Sequence, residues 1–140
     1  MNRTTLIGLA FLLGSVAPLV AGCGGGGPEL IEVAGTVTLD NRPLAGASVE
    51  FQPEEGGSPS YGTTDENGRY ELVYGVDKPG AMIGKHVVRI TTYQMVSTGE
   101  GDPTIVPERV PPQYNSQTTL SEEVATGRDE INFDLTGALQ

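Results

Sequence analysis

From Leu30 onward, apolar side chains fall on every second position in short runs, and each run stops at residues that break regular structure. Val33, Gly35, Val37 and Leu39 alternate with Ala34, Thr36, Thr38 and Asp40, and Asp40-Asn41-Arg42-Pro43 supplies the turn. Ala47, Val49 and Phe51 alternate with Ser48, Glu50 and Gln52 until Pro53 ends the run. A short strand over residues 61–64 leads into Asp65-Glu66-Asn67-Gly68, a hairpin turn whose Asn-Gly pair accepts positive φ. The return strand places Tyr70, Leu72 and Tyr74 on one face, and His86, Val88 and Ile90 share a face of the next. Leu120 and Val124 mark a sixth strand, and Ile131, Phe133 and Leu135 a seventh. After the first 22 residues no window of twelve carries a helical apolar stripe. Twenty glycines and ten prolines in 140 residues fit that punctuation. These signals predict one all-β domain, a seven-stranded two-sheet sandwich. Residues 94–117, holding Pro103, Pro107, Pro111 and Pro112, are expected to form one long loop, the natural place for a contact surface.

The N-terminus has a different grammar. Arg3 precedes an apolar run from Leu6 to Val20, and the small residues Ala21 and Gly22 lead to Cys23. A basic start, an apolar middle too short for a stable span and a small-residue junction describe an export signal over residues 1–22. Cys23 is the single cysteine, so no intramolecular disulfide can form, and its place at the junction points to acylation. Residues 23–29, with Gly24 to Gly27 and Pro28, read as a flexible tether, and 30–140 as the folded unit.

Eighteen acidic and eight basic residues give a net charge of −10. With Arg3 removed in the leader, the exported part carries one positive charge fewer. An acidic chain without a basic stripe is a poor nucleic-acid binder. Glu54-Glu55 and Glu122-Glu123 read as solvated faces.

Leu19-Val20-Ala21-Gly22-Cys23 resembles a bacterial lipobox. The resemblance implies cleavage between Gly22 and Cys23, palmitate-type acyl chains on Cys23, and, with Gly24 following, sorting to the outer membrane. Val33-Ala34-Gly35-Thr36-Val37, the stretch from Arg42 to Phe51, the stretch from Thr64 to Leu72, and Gly84 to Ile90 together resemble the carboxypeptidase regulatory-like domain. The chain is similar to stand-alone lipoproteins of this type abundant in planctomycetes, including a segment like Val110-Pro111-Pro112-Gln113-Tyr114-Asn115. That resemblance covers residues 32–136 and implies a transthyretin-like Greek-key sandwich whose motif positions are scaffold without chemistry.

Candidate sites are few. Asp65 and Asn67 place oxygens at alternate positions, as a calcium loop would, but a strand begins at Arg69 where further ligands are needed, so a plain turn is preferred. His86, the single histidine, lacks the spaced acidic and histidine partners of a zinc peptidase and reads as structural. Transthyretin-like hydroxyisourate hydrolases need several histidines and a Tyr-Arg-Gly-Ser ending, whereas this chain ends Thr136-Gly137-Ala138-Leu139-Gln140. Tyr61, Tyr93 and Tyr114 are candidates for a sugar-stacking surface, with Tyr93 and Tyr114 as the binding candidates carried forward. Tryptophan is absent and aromatics total 6%, which weighs against a broad platform. The expectation is a non-enzymatic envelope lipoprotein without a cofactor, anchored to the bilayer through Cys23 and presenting its sandwich to an envelope protein or polysaccharide. A carbohydrate- or calcium-binding surface module is the alternative.

Overall fold

A computed structural model describes residues 26–99 and 101–140. Among them are fourteen strand segments, one 3-10 turn and no α-helix. In chain order these are β1 (Leu30–Ile31), β2 (Ala34–Leu39), β3 (Arg42–Pro43), β4 (Ser48–Pro53), β5 (Ser60–Thr63), β6 (Arg69–Glu71) and β7 (Val73–Tyr74). There follow β8 (Lys78–Pro79), β9 (Ala81–Met82), β10 (Gly84–Thr91), β11 (Gln94–Val96), β12 (Thr104–Val106), the 3-10 turn Pro112–Tyr114, β13 (Ser121–Val124) and β14 (Phe133–Leu135).

The fold is an all-β sandwich. One antiparallel sheet runs in the order β13-β10-β4-β5-β7-β8. The opposing sheet is built on β2, which pairs in parallel with β14 and antiparallel with β3 and β6. The alternation read from the sequence holds residue by residue: Val33, Gly35, Val37 and Leu39 are buried, as are Val49 and Phe51 in β4 and His86, Val88 and Ile90 in β10. Phe51 from one sheet meets Phe133 from the other edge-on, with centroids 6.1 Å apart, and Tyr70 packs on Phe133 at 6.3 Å. These rings join the two layers into one core.

The count of seven strands is corrected to fourteen segments, for two physical reasons. The expected strand over residues 69–74 is split at Leu72 because the chain changes sheets there. β6 pairs with β2, whereas β7 pairs with β5. The buried Leu72 covers the corner, its N–H donating to Val33 and its carbonyl accepting from Gly80. The added segments are mostly two or three residues long, too short to show an alternation. β1, for example, pairs only Leu30 with Met82 and Ile31 with Ala81.

Turn chemistry sets the register. Asp40 and Asn41 both adopt positive φ, 50° and 63°, in a two-residue connection from Leu39 to its partner Arg42. At the second turn only Gly68 enters that region, with φ 75°. Asn67 does not, because Asp65 holds the loop instead: its carbonyl accepts from Gly68 N–H, and its side chain accepts from the N–H groups of Asn67 and Arg69, both at 2.9 Å. Gly35 lies where a Cβ would run into the Ile131 carbonyl, the same carbonyl that accepts the Tyr70 hydroxyl at 2.6 Å.

Candidate interaction surface

β10 leaves the sandwich at Thr91, and the chain then builds the region expected to be a single long loop. That expectation is corrected. β11 and β12 form a hairpin in which Gln94, Met95 and Val96 pair with Val106, Ile105 and Thr104. Residues 112–114 form the 3-10 turn, and the chain thereafter follows the edge of β10. Pro103 and Pro107 flank β12 without interrupting it, positions where a missing N–H costs no ladder bond.

The base of the hairpin is held by Glu108. Its half-buried carboxylate accepts from the hydroxyl of Thr91, the N–H and hydroxyl of Thr92, and the N–H groups of Arg109 and Val110. Burial pushes its pKa upward, but the hydrogen bonds from Thr91, Thr92 and Val110 outweigh that and leave it below the usual glutamate value. Thr92 and Val110 are fully buried, so the clamp satisfies backbone groups that water does not reach. Gln94 adds a bond to the Gly46 carbonyl at 2.9 Å. Beyond the turn, Asn115 donates to Ile90 and Val110 carbonyls, and Thr118 to Val88. The second half of the proline-rich stretch is therefore stitched to the sheet, and the hairpin is the part that stands clear.

That hairpin is apolar on its surface. Met95 is 61% exposed and Ile105, its cross-strand partner, 56%; Val96 and Tyr93 are exposed beside them. β11 and β12 make a sheet of two strands, so each has an outer edge without a ladder partner among the described residues.

The residues singled out by sequence separate here. Tyr93 sits at the hairpin base, exposed, with its N–H on the Thr91 hydroxyl. Tyr114 packs against the core and its phenol oxygen accepts from Thr136 N–H at 3.3 Å, so its ring is part of the scaffold. Tyr61 is exposed on β5, which belongs to the main sheet. Asp65 spends one carboxylate oxygen on two backbone N–H groups, and Asn67 is part of the same turn. Among the described residues no three His, Cys, Asp or Glu side chains are grouped to hold a metal ion. The leader, the Gly22–Cys23 junction and Cys23 itself lie outside the described residues. No described helix is long and apolar enough to cross a membrane.

His86 is buried between the sheets, 5.7 Å from Phe51. Its Nδ1 lies 3.0 Å from the Gly84 carbonyl, which can only accept, so Nδ1 carries the proton and Nε2 is bare, without a protein partner. Burial lowers its pKa against the opposing pull of Gly84 and Glu54. Sequence reasoning missed Glu108, whose partners Thr91 and Thr92 are 17 and 16 positions away, and the hairpin, whose strands are three residues each.

No protein-family model matches the chain, and comparison with curated proteins finds no match. Among solved structures, a 9R-lipoxygenase from Cyanothece PCC8801 is similar over 77% of this chain at 17% identity, with a TM-score of 0.42. The chain spans 16% of that protein's length.

Proposed function

We propose that the protein is a non-enzymatic, membrane-anchored envelope lipoprotein of the carboxypeptidase regulatory-like type, tethered through acylated Cys23, whose sandwich works as a protein-interaction module. The observation that carries the interaction role is the hairpin: Tyr93, Met95, Val96 and Ile105 are exposed on an arm whose base is fixed by Glu108. A small domain gains nothing in folding from leaving such a group in water, whereas a partner that covers it gains both apolar burial and two free strand edges. The non-enzymatic reading is supported by how the chemistry-bearing side chains are used: Glu108, Asp65 and the His86 Nδ1 are all engaged with the protein's own backbone.

The test is in-cell crosslinking from Tyr93 in the membrane fraction, comparing the wild type with a Met95→Ser, Ile105→Ser double variant. A crosslinked protein adduct present in the wild type and reduced at least about tenfold in the variant, at equal folded abundance, supports the reading, since truncated apolar anchors typically cost more than 1 kcal/mol each. An adduct pattern indifferent to both substitutions contradicts it.

A further inference from the structure

Arg109, next to Glu108 in the chain, also lines an open cleft of about 470 Å³. It is lined by Leu39, Asp40, Arg42, Leu44, Arg109 and Leu139, residues from the first hairpin, the clamp segment and the C-terminal tail. Basic residues are scarce in this chain, eight in 140, yet two arginines line this one cleft.

Neither forms an ion pair, although Arg42 is near enough to Asp40 to help lower its pKa. The ion pairs among the described residues are Arg89 with Glu50 and Arg128 with Glu122. Asp40, the one acid of the cleft wall, has both carboxylate oxygens committed, one to Gly137 N–H at 2.8 Å and the other to Ala138 N–H at 3.0 Å. It builds the wall by pinning the tail across it. The Arg109 backbone is held on both sides, its N–H shared between the Thr92 hydroxyl and Glu108 and its carbonyl accepting from Leu139 N–H. The guanidinium itself has one protein bond, Nη2 to the Ala45 carbonyl at 2.8 Å, which leaves its remaining donors for a ligand.

Two arginines and one aspartate leave the cleft with a single net positive charge, the complement of a monoanion and a poor match for a dianionic phosphate. Leu39 and Leu44 are buried beneath it and Leu139 is 44% exposed at the rim, so the remaining wall is apolar. The planar fork of arginine fits a carboxylate edge-on. The volume lies within the range of small-ligand sites.

We propose that this cleft binds a carboxylate carried on a short apolar body, gripped by Arg42 and Arg109 with the apolar part against Leu44 and Leu139. An α-carboxylate next to a leucine-sized side chain has this chemistry, whether it ends a peptide chain or belongs to a free N-acylated amino acid. The site is independent of the hairpin and of the membrane anchor.

The probe is N-acetyl-leucine, titrated calorimetrically into the full-length processed protein in detergent. Saturable binding is expected, with N-acetyl-leucinamide binding at least about tenfold more weakly because it lacks the charge-assisted pair. Arg42→Gln and Arg109→Gln are each expected to weaken binding about tenfold. The Arg42 side chain is exposed and takes part in no hydrogen bond or ion pair within the described residues, so its substitution is expected to leave the thermal midpoint in place and separates binding from folding. Acetyl-Gly-Gly-Leu binding more tightly than N-acetyl-leucine assigns the ligand as a chain end, and equal affinity assigns the free acid. The proposal is overturned if the amide binds as well as the acid, if inorganic phosphate binds more tightly than either, if Arg42→Gln leaves affinity unchanged, or if no saturable binding appears up to about 50 mM.

Discussion

Glu108 draws five donors from four residues onto one carboxylate, and two of those residues are fully buried. Glu108→Ala leaves the N–H groups of Thr92 and Val110 without acceptors, which is expected to cost about 2–4 kcal/mol in urea denaturation. A midpoint equal to the wild type would contradict the clamp. The titrating groups divide by sign. Asp40 and Glu108 are both held below their usual carboxylate values in the folded protein, so they stabilise it above about pH 4 and lose that contribution as the pH falls through their folded pKa values. His86 acts earlier. Its folded pKa lies below the ordinary value of about 6.5, so the unfolded chain takes the proton first and stability declines as the pH drops below that point. His86→Leu removes the bare buried Nε2 and this proton linkage together. Its stability is expected to stay flat between about pH 7 and 5.5, where the wild type declines; parallel curves for the two would remove His86 from the account.

At the scale of elements, the hairpin and the sandwich are separable. β11 and β12 pair with each other and with no strand of the two main sheets. Because Gln94 and Val106 face each other, residues 95–105 can be replaced by Asn-Gly, a turn that joins directly opposed residues. The shortened protein is expected to keep its unfolding free energy within about 0.5 kcal/mol, while adducts from Tyr93 disappear. A loss of several kcal/mol would mean that the arm supports the core. What the sequence made legible follows the same division. β2, β4 and β10 were readable because each buries one face, so period two is written into six or more residues. The hairpin was hidden because three-residue strands exposed on both faces carry no alternation, and the adjacent prolines suggested a loop. The partners of Asp40 in the tail, 97 and 98 positions away, and the placing of Arg42 and Arg109 on one cleft depend on tertiary closure, which no local pattern encodes.

Across the whole molecule, the two sheets are locked by the Phe51, Tyr70 and Phe133 rings and by the corner at Leu72, where one run of chain serves both layers. The parallel pairing of β14 with β2 then brings the C-terminal tail back against the first hairpin, where Asp40 holds it. At the other end, exposed residues Gly26 to Glu29 lead into β1 at Leu30. In this account the sandwich presents its arm and its cleft from a membrane anchor, and everything upstream depends on Cys23. Mass spectrometry of the N-terminal peptide from protein purified out of membranes tests that claim most directly. The account predicts a chain beginning at Cys23 and carrying the added mass of acyl chains, and a Cys23→Ser variant that lacks the modification. A wild-type peptide in which Cys23 is unmodified, or a mature chain beginning elsewhere, would contradict it.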